Sequence, residues 1–283
     1  MSTPKYQAIA AAILTLTLAA CGGGGGGSGT STSTQTSTNG QGTSTQAGTD
    51  YVAVGSAPTV TGVNGSVSVL FSANALRSNG MTGTSFSAPS VSLSTFTQQA
   101  AYGGAFTTVN SGVANGAVTL TKGGTIADIN GAGGYVAIGR WTQGSDSSGG
   151  NYTANQGGTY VVGNPLTLTA TSGTLSCSAL MSTSPTAVTG SVAPGKLSAA
   201  TATLDLSTLK LSNLSATVTI GSDVNATIAQ SSVTAKGMQF SNGFTAMAEP
   251  MGNDASKPLI ALAYGTKLTN TGDINGVIVF ACQ

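Results

Sequence analysis

The sequence predicts an all-β fold: an eight-stranded antiparallel β-barrel, preceded by a smaller irregular β subdomain and a disordered Gly/Ser/Thr tether. Three observations lead there. From Tyr51 onward the chain consists of short runs of Val, Ile, Leu, Thr and Ala punctuated by Gly and Asn, as strands and turns require. Asn-Gly pairs, which tolerate positive φ and favour hairpin turns, recur at Asn64-Gly65, Asn79-Gly80, Asn115-Gly116, Asn130-Gly131, Asn242-Gly243 and Asn275-Gly276. Several runs alternate strictly between apolar and polar residues, and no long amphipathic helix is legible after the N-terminus.

The chain begins with a positive residue, Lys5, and an apolar stretch from Ala8 to Leu18, followed by Ala19, Ala20 and Cys21. The stretch is too short to span a bilayer. Leu18-Ala19-Ala20-Cys21 resembles the lipobox of bacterial lipoprotein signal peptides, which implies removal of residues 1–20 and lipidation of Cys21. The ordinary alternative is a secretory signal with a chance cysteine. Gly22 follows, where an aspartate would signal retention at the inner membrane, so the resemblance implies the outer membrane, at the cell surface or on its periplasmic face. Residues 22–50 are almost entirely Gly, Ser, Thr, Gln and Asn, and offer nothing large to bury. They are expected to form a flexible tether, residues 21–50 in all with the lipidated cysteine.

Residues 51–134 are strand-like but irregular, and are expected to form the N-terminal subdomain. Residues 135–283 supply the barrel. Its expected strands are Tyr135 to Gln143, Gly173 to Ser182, Lys196 to Ser207, Asn213 to Ile220, Asn225 to Ala235, Phe244 to Met251, Pro258 to Leu268 and Ile274 to Cys282. Alternation is clearest where Ala200, Ala202, Leu204 and Leu206 oppose Thr201, Thr203 and Asp205, and where Leu214, Ala216, Val218 and Ile220 oppose Ser215, Thr217 and Thr219. Eight such runs suit a meander that removes its exposed edges by curling into a barrel.

Only 6% of the residues are charged, nine basic against eight acidic, and there is no histidine. No basic cluster exists to track phosphates, so nucleic acid is excluded as an expected partner. With Cys21 assigned to lipid, Cys177 and Cys282 are left, each in phase with the apolar side of a strand. A disulfide is the first reading in an oxidising compartment, and two buried free thiols are the other.

The run Tyr135-Val136-Ala137-Ile138-Gly139-Arg140-Trp141 resembles the "GRW" strand of surface lipoproteins related to the barrel domains of transferrin-binding protein B. Tyr160-Val161-Val162-Gly163-Asn164-Pro165, a Gly-Thr-Leu-Ser strand and the terminal Ile274 to Phe280 run follow in the family's order. The resemblance covers 135–283, and loosely 51–134. It implies an eight-stranded barrel and ligand capture at the cell envelope, with a host protein, haem or another solute as ligand and a TonB-type receptor as a further partner. The chain has one barrel-sized unit rather than two lobes and lacks that family's charge, so transferrin itself is not implied. Trp141 and Arg140 are read as structural, an aromatic in the barrel and a cation at its rim. The Gln143 to Gly158 loop, with Gln143, Tyr152 and Asn155, is the candidate ligand-binding segment.

Catalysis is not expected. Gly83-Thr84-Ser85-Phe86-Ser87-Ala88-Pro89 resembles the serine motif of subtilisin-like proteases, but no histidine exists to take the serine proton. Ser207-Thr208-Leu209-Lys210 matches a Ser-x-x-Lys pattern but falls on a strand-to-strand turn. No metal set is expected either, because no two acids lie at a chelating spacing. A haem could draw only on Tyr152, Tyr160, Tyr264, Met238, Met247 or Met251, each simpler as a core or rim residue, so no cofactor is expected. A non-catalytic structural or adhesive envelope lipoprotein is the alternative function.

Overall fold

The computed structural model describes residues 50–77, 80–81, 84–99, 103–241 and 243–283. The expected signal peptide, the expected lipidation site Cys21 and nearly all of the expected tether lie outside the described residues. Two large sheets account for most of the rest. The first contains β1 (Val52–Gly55), β2 (Ser66–Ser72), β3 (Phe86–Ser92), β4 (Thr125–Ala132), β5 (Val136–Thr142) and β6 (Gly158–Gly163). Its spatial order is β1-β4-β5-β6-β2-β3, antiparallel except for β1 beside β4.

The second sheet is a meander in sequence order. It runs through β7 (Thr174–Ser182), β8 (Lys196–Asp205), β9 (Lys210–Ile220), β10 (Asp223–Thr234), β11 (Gly237–Ser241), β12 (Phe244–Met251), β13 (Leu259–Leu268) and β14 (Gly272–Cys282). The last strand, β14, pairs with the first, β7, so the sheet curls into the expected eight-stranded antiparallel barrel. Cys177 and Cys282 stand opposite each other on those two strands and form a disulfide. The ladder is open between β10 and β11. There the Gln239 side chain bridges the seam, accepting from the Thr234 amide at 2.7 Å and donating to the Ser232 carbonyl at 3.1 Å. A side-chain amide thus takes the place of one backbone rung.

Burial explains why the strands divide this way. On β8 from Ala200 and on β9 from Leu214 every second residue is buried, including Ala200, Ala202, Leu204, Leu214, Ala216 and Val218, while Thr201 and Ser215 face water. One apolar face suffices for a stave with a wet outer side. The apolar side chains fill the barrel interior, the reverse of a water-filled transmembrane barrel. By contrast β12, and most of β13 and β14, are buried on both faces. Their outer faces are covered by the first sheet through a shared core in which Leu70, Val136, Ile138 and Val161 meet Met247, Ala261, Val277 and Val279.

Two expectations need correction. The Val136–Thr142 strand pairs with β4 and β6 in the first sheet and is not a stave of the barrel. All seven of its residues are buried: Ala137 and Trp141 in the first sheet's own core, Val136 and Ile138 in the shared one. A strand so apolar on both sides needs cover on both sides, which a barrel wall with a wet exterior does not give. The eighth stave is instead the short β11. Second, Asn130-Gly131 and Asn275-Gly276 lie within strands rather than turns. At Gly276 a Cβ would come 2.9 Å from the Tyr264 hydroxyl, so this glycine answers to close packing. Asn64-Gly65 does form a turn, with both residues at positive φ between the bridged Val63 and Ser66.

Candidate functional site

The strand that carries the Gly-Arg-Trp motif builds a scaffold. Trp141 is fully buried, and its indole N–H donates to the Phe106 carbonyl at 2.7 Å. Its ring lies 5.1 Å from Phe71 and 6.2 Å from Tyr160, centroid to centroid. The Tyr160 hydroxyl accepts from the Phe106 amide at 3.1 Å and donates to the Gly104 carbonyl at 3.0 Å. Trp141 is therefore structural, as expected, but in the core of the first sheet rather than in the barrel. Arg140 is buried too. Its Nε donates to Asp128 Oδ2 at 2.8 Å and its Nη1 to the Gln156 carbonyl at 3.0 Å. Asp128 also accepts from the Ser184 amide and hydroxyl, at 2.9 and 3.1 Å, so one ion pair ties the first sheet to the segment that follows β7.

The same arginine anchors the loop between β5 and β6. That loop is a small hairpin, Gly144–Ser145 against Asn151–Tyr152, folded around Asp146. The buried Asp146 carboxylate accepts from the Ser148 amide and hydroxyl at 2.8 and 2.6 Å, from the Gly150 amide at 3.1 Å, and from the Tyr152 hydroxyl. Burial, reinforced by this acid, pushes the Tyr152 hydroxyl well above its usual pKa, so it stays protonated and donating. Gln156 donates to the Val188 carbonyl at 2.7 Å, and Asn155 to the Gly190 carbonyl at 3.1 Å. The base of the loop is thereby fastened to the β7–β8 connection.

Of the residues singled out in this loop, Tyr152 borders a cleft. Gln143 stands at the loop's start with positive φ and accepts from the Thr125 hydroxyl at 3.1 Å. Asn155 is spent on the fastening just described. The Tyr152 ring instead walls a cleft of about 220 Å³, together with Ser148 and Asn151 of the hairpin and Ala73, Asn74 and Thr84 of the β2–β3 loop. Sequence reasoning found one wall of this cleft and missed the other. The β2–β3 wall is held by long-range bonds that no local pattern announces: the Asn275 amide donates to the Asn74 carbonyl at 2.8 Å, and the Asn74 amide to the Val188 carbonyl at 3.1 Å. The cleft is built of hydroxyls, amides, glycine backbone and one aromatic edge, with no charged side chain in its lining.

The other motifs are employed locally. Ser85 accepts from the Ala73 amide at 3.0 Å and so braces the same β2–β3 loop. Ser207 donates to Asp205 at 2.6 Å in the β8–β9 turn. The tyrosines and methionines considered for haem are dispersed. Tyr152 and Tyr160 lie in the first sheet's core, Tyr264 in the barrel, Met238 on its exposed surface, and Met247 and Met251 in the core between the sheets. Burial raises the hydroxyl pKa of both Tyr160 and Tyr264. Among the described residues no group of three or more Cys, Asp or Glu is placed to hold a metal ion, and no helix is long and apolar enough to cross a membrane.

No protein-family model matches the chain, and no curated protein does. Among solved structures, the chain is similar to a tryptophan-to-alanine mutant of the vaccine antigen transferrin-binding protein B from Haemophilus parasuis Hp5. The two share 9% identity at a TM-score of 0.34, over 76% of this chain and 45% of that one. The likeness is weak and concerns the fold alone, and the chain spans less than half the length of that protein.

Proposed function

We propose that this protein is a lipid-anchored bacterial envelope protein of the outer membrane, facing the surface or the periplasm, that captures a ligand without chemical conversion. The observation that carries capture is the cleft between the β2–β3 loop and the Asp146 hairpin, each of whose walls is fixed from behind by hydrogen bonds. A preformed site loses little entropy on binding. Its uncharged lining fits a neutral polar ligand, or a neutral polar part of a host protein or small solute, and gives no electrostatic steering. The anchor rests on the Leu18-to-Cys21 motif.

Capture is tested by pull-down of serum proteins and of haem-agarose with the purified full chain and with Asn151→Trp, which fills the cleft from an exposed position. Saturable retention that the variant loses supports the reading; retention equal in both, or none, sinks it. Radiolabelled palmitate entering the wild type but not Cys21→Ser tests the anchor.

A second reading, an adhesive envelope protein, is favoured by one observation. The outer faces of β8 to β10 carry exposed Thr201, Ser215, Thr227 and Ser231, a hydroxyl coat suited to polar surfaces. Adhesion that survives in Asn151→Trp would favour it.

A further inference from the structure

The cleft beside the Asp146 hairpin has two chemically different parts. Ala73, Ala75 and the Tyr152 ring give it carbon, since the Tyr152 hydroxyl is spent on Asp146 and leaves ring atoms to meet a ligand. Thr84, Ser148 and Asn151 give it neutral polar groups. The Ser148 hydroxyl donates to Asp146 and keeps lone pairs for accepting, whereas the exposed Asn151 amide and the Thr84 hydroxyl can both donate and accept. Asn74, on the opposite wall, adds an acceptor that nothing answers. Its amide nitrogen is spent on the Val188 carbonyl, and its Oδ1 is closed from water without a hydrogen-bond partner. An unpaired buried acceptor is costly, so this wall favours a ligand that donates hydrogen bonds.

We propose, resting on the capture reading, that the cleft takes a single neutral sugar ring, a pyranose. Such a ring is divided as the cleft is. Its C–H face is apolar, and its hydroxyls project from the rim, each of them both donor and acceptor. Other ligand classes match only one half. An acyl chain would cover Thr84, Ser148 and Asn151 without pairing them, and an ion would lose water without gaining a counter-charge. A haem or a nucleobase needs a broad aromatic face, and Tyr152, 5% exposed, shows only a margin. Size points the same way. A cleft of about 220 Å³ corresponds to the liquid volume of about seven waters, which suits one sugar ring with its hydroxyls and leaves the rest of a glycan in solvent. Host glycoproteins and bacterial envelope polysaccharides both present such rings, and competition separates them.

The test is saturation-transfer NMR on the purified full chain with the methyl pyranosides of glucose, galactose, mannose, fucose and N-acetylglucosamine, and with sorbitol as an open-chain polyol. One pyranoside should bind saturably at millimolar concentration, and sorbitol and an epimer about tenfold more weakly, because fixed polar groups read the direction of each hydroxyl. Thr84→Val, which keeps the shape but removes a hydroxyl, should weaken that pyranoside about threefold, and Asn151→Trp should abolish its binding. Wild-type Trp141 fluorescence in both variants checks that the first sheet is intact. No pyranoside binding at millimolar concentration, equal binding of sorbitol, or binding indifferent to both substitutions would overturn the assignment. Displacement of the pyranoside by serum glycoproteins, lost on enzymatic deglycosylation, assigns the ring to a host glycan; displacement by bacterial lipopolysaccharide assigns it to the envelope, and displacement by neither to a free sugar. Retention of serum protein or haem-agarose that Asn151→Trp loses, but that excess pyranoside does not compete, would sink the sugar and leave capture standing.

Discussion

Gly139 shows how a single residue sets the fit of the first sheet. A Cβ there would fall 2.2 Å from the Tyr160 hydroxyl, the group that bonds Phe106 and Gly104 into the core. Gly139→Ala should therefore cost about 1–3 kcal/mol, the usual range for overpacking a filled core, read as a lower urea midpoint. Glu249 makes a different point. The residue is 3% exposed on β12, and its Oε2 is buried without a hydrogen-bond partner. Burial raises its pKa, against the opposing pull of the Ser87 hydroxyl and Lys236. The folded state thus keeps the proton at pH values where the unfolded state has released it. Stability should be greatest below the ordinary glutamate pKa and fall as pH rises from there through the raised folded value. Glu249→Gln cannot ionise and should flatten that decline in urea titrations across pH 4 to 7. An unchanged slope in the variant would assign the pH dependence to other groups. Neither feature can be read locally, since each depends on an atom from a distant strand.

At the scale of elements, alternation was the reliable guide. The staves expected at Phe244 to Met251 and Pro258 to Leu268 are found within a residue of their bounds, and the alternating pair from Lys196 and Asn213 differs only at the ends. The misassigned strand, Val136–Thr142, carried its own warning. Val136, Ala137 and Ile138 are consecutive apolar residues, the mark of a strand covered on both faces, whereas the true outer-wall staves alternate. The overlooked stave, β11, has only five residues, and its less exposed face carries Gly237, Gln239 and Ser241, none of them apolar and large enough to mark a period. That glutamine is polar because it completes the seam. Gln239→Ala should leave the Thr234 amide unpaired, lower stability by about 1–3 kcal/mol, and speed hydrogen exchange at Thr234 ahead of the paired rungs of β9 and β10. Loss of stability without faster exchange at Thr234 would place the effect in packing rather than in the bridge. The candidate site divides in the same way. Its hairpin wall was legible from a glycine-rich loop, while its β2–β3 wall depends on bonds from Asn74 and Asn275 to distant parts of the chain.

The whole molecule holds together through one shared core, and it contains the means to test that claim. Leu70, Val136, Ile138 and Val161 on one side, with Met247, Met251, Ala261 and Val277 on the other, leave neither sheet able to expose its inner face without cost. Burial of such faces contributes about 25 cal/mol per Å² of apolar surface, so the sheets should unfold in one transition. The chain's one tryptophan, Trp141, lies in the first sheet, and its disulfide, Cys177–Cys282, lies in the barrel at a sequence separation of 105 residues. A cross-link closing so long a loop restricts the unfolded chain strongly, and its loss should cost about 2–5 kcal/mol. The Cys177→Ser, Cys282→Ser double variant perturbs only the barrel. If the two sheets are coupled, its urea midpoint read by Trp141 fluorescence should fall by the same amount as the midpoint read by far-ultraviolet circular dichroism. A tryptophan transition left at its original midpoint while the dichroism midpoint falls would mean that the first sheet is stable on its own, and that the core between the sheets joins two domains instead of one.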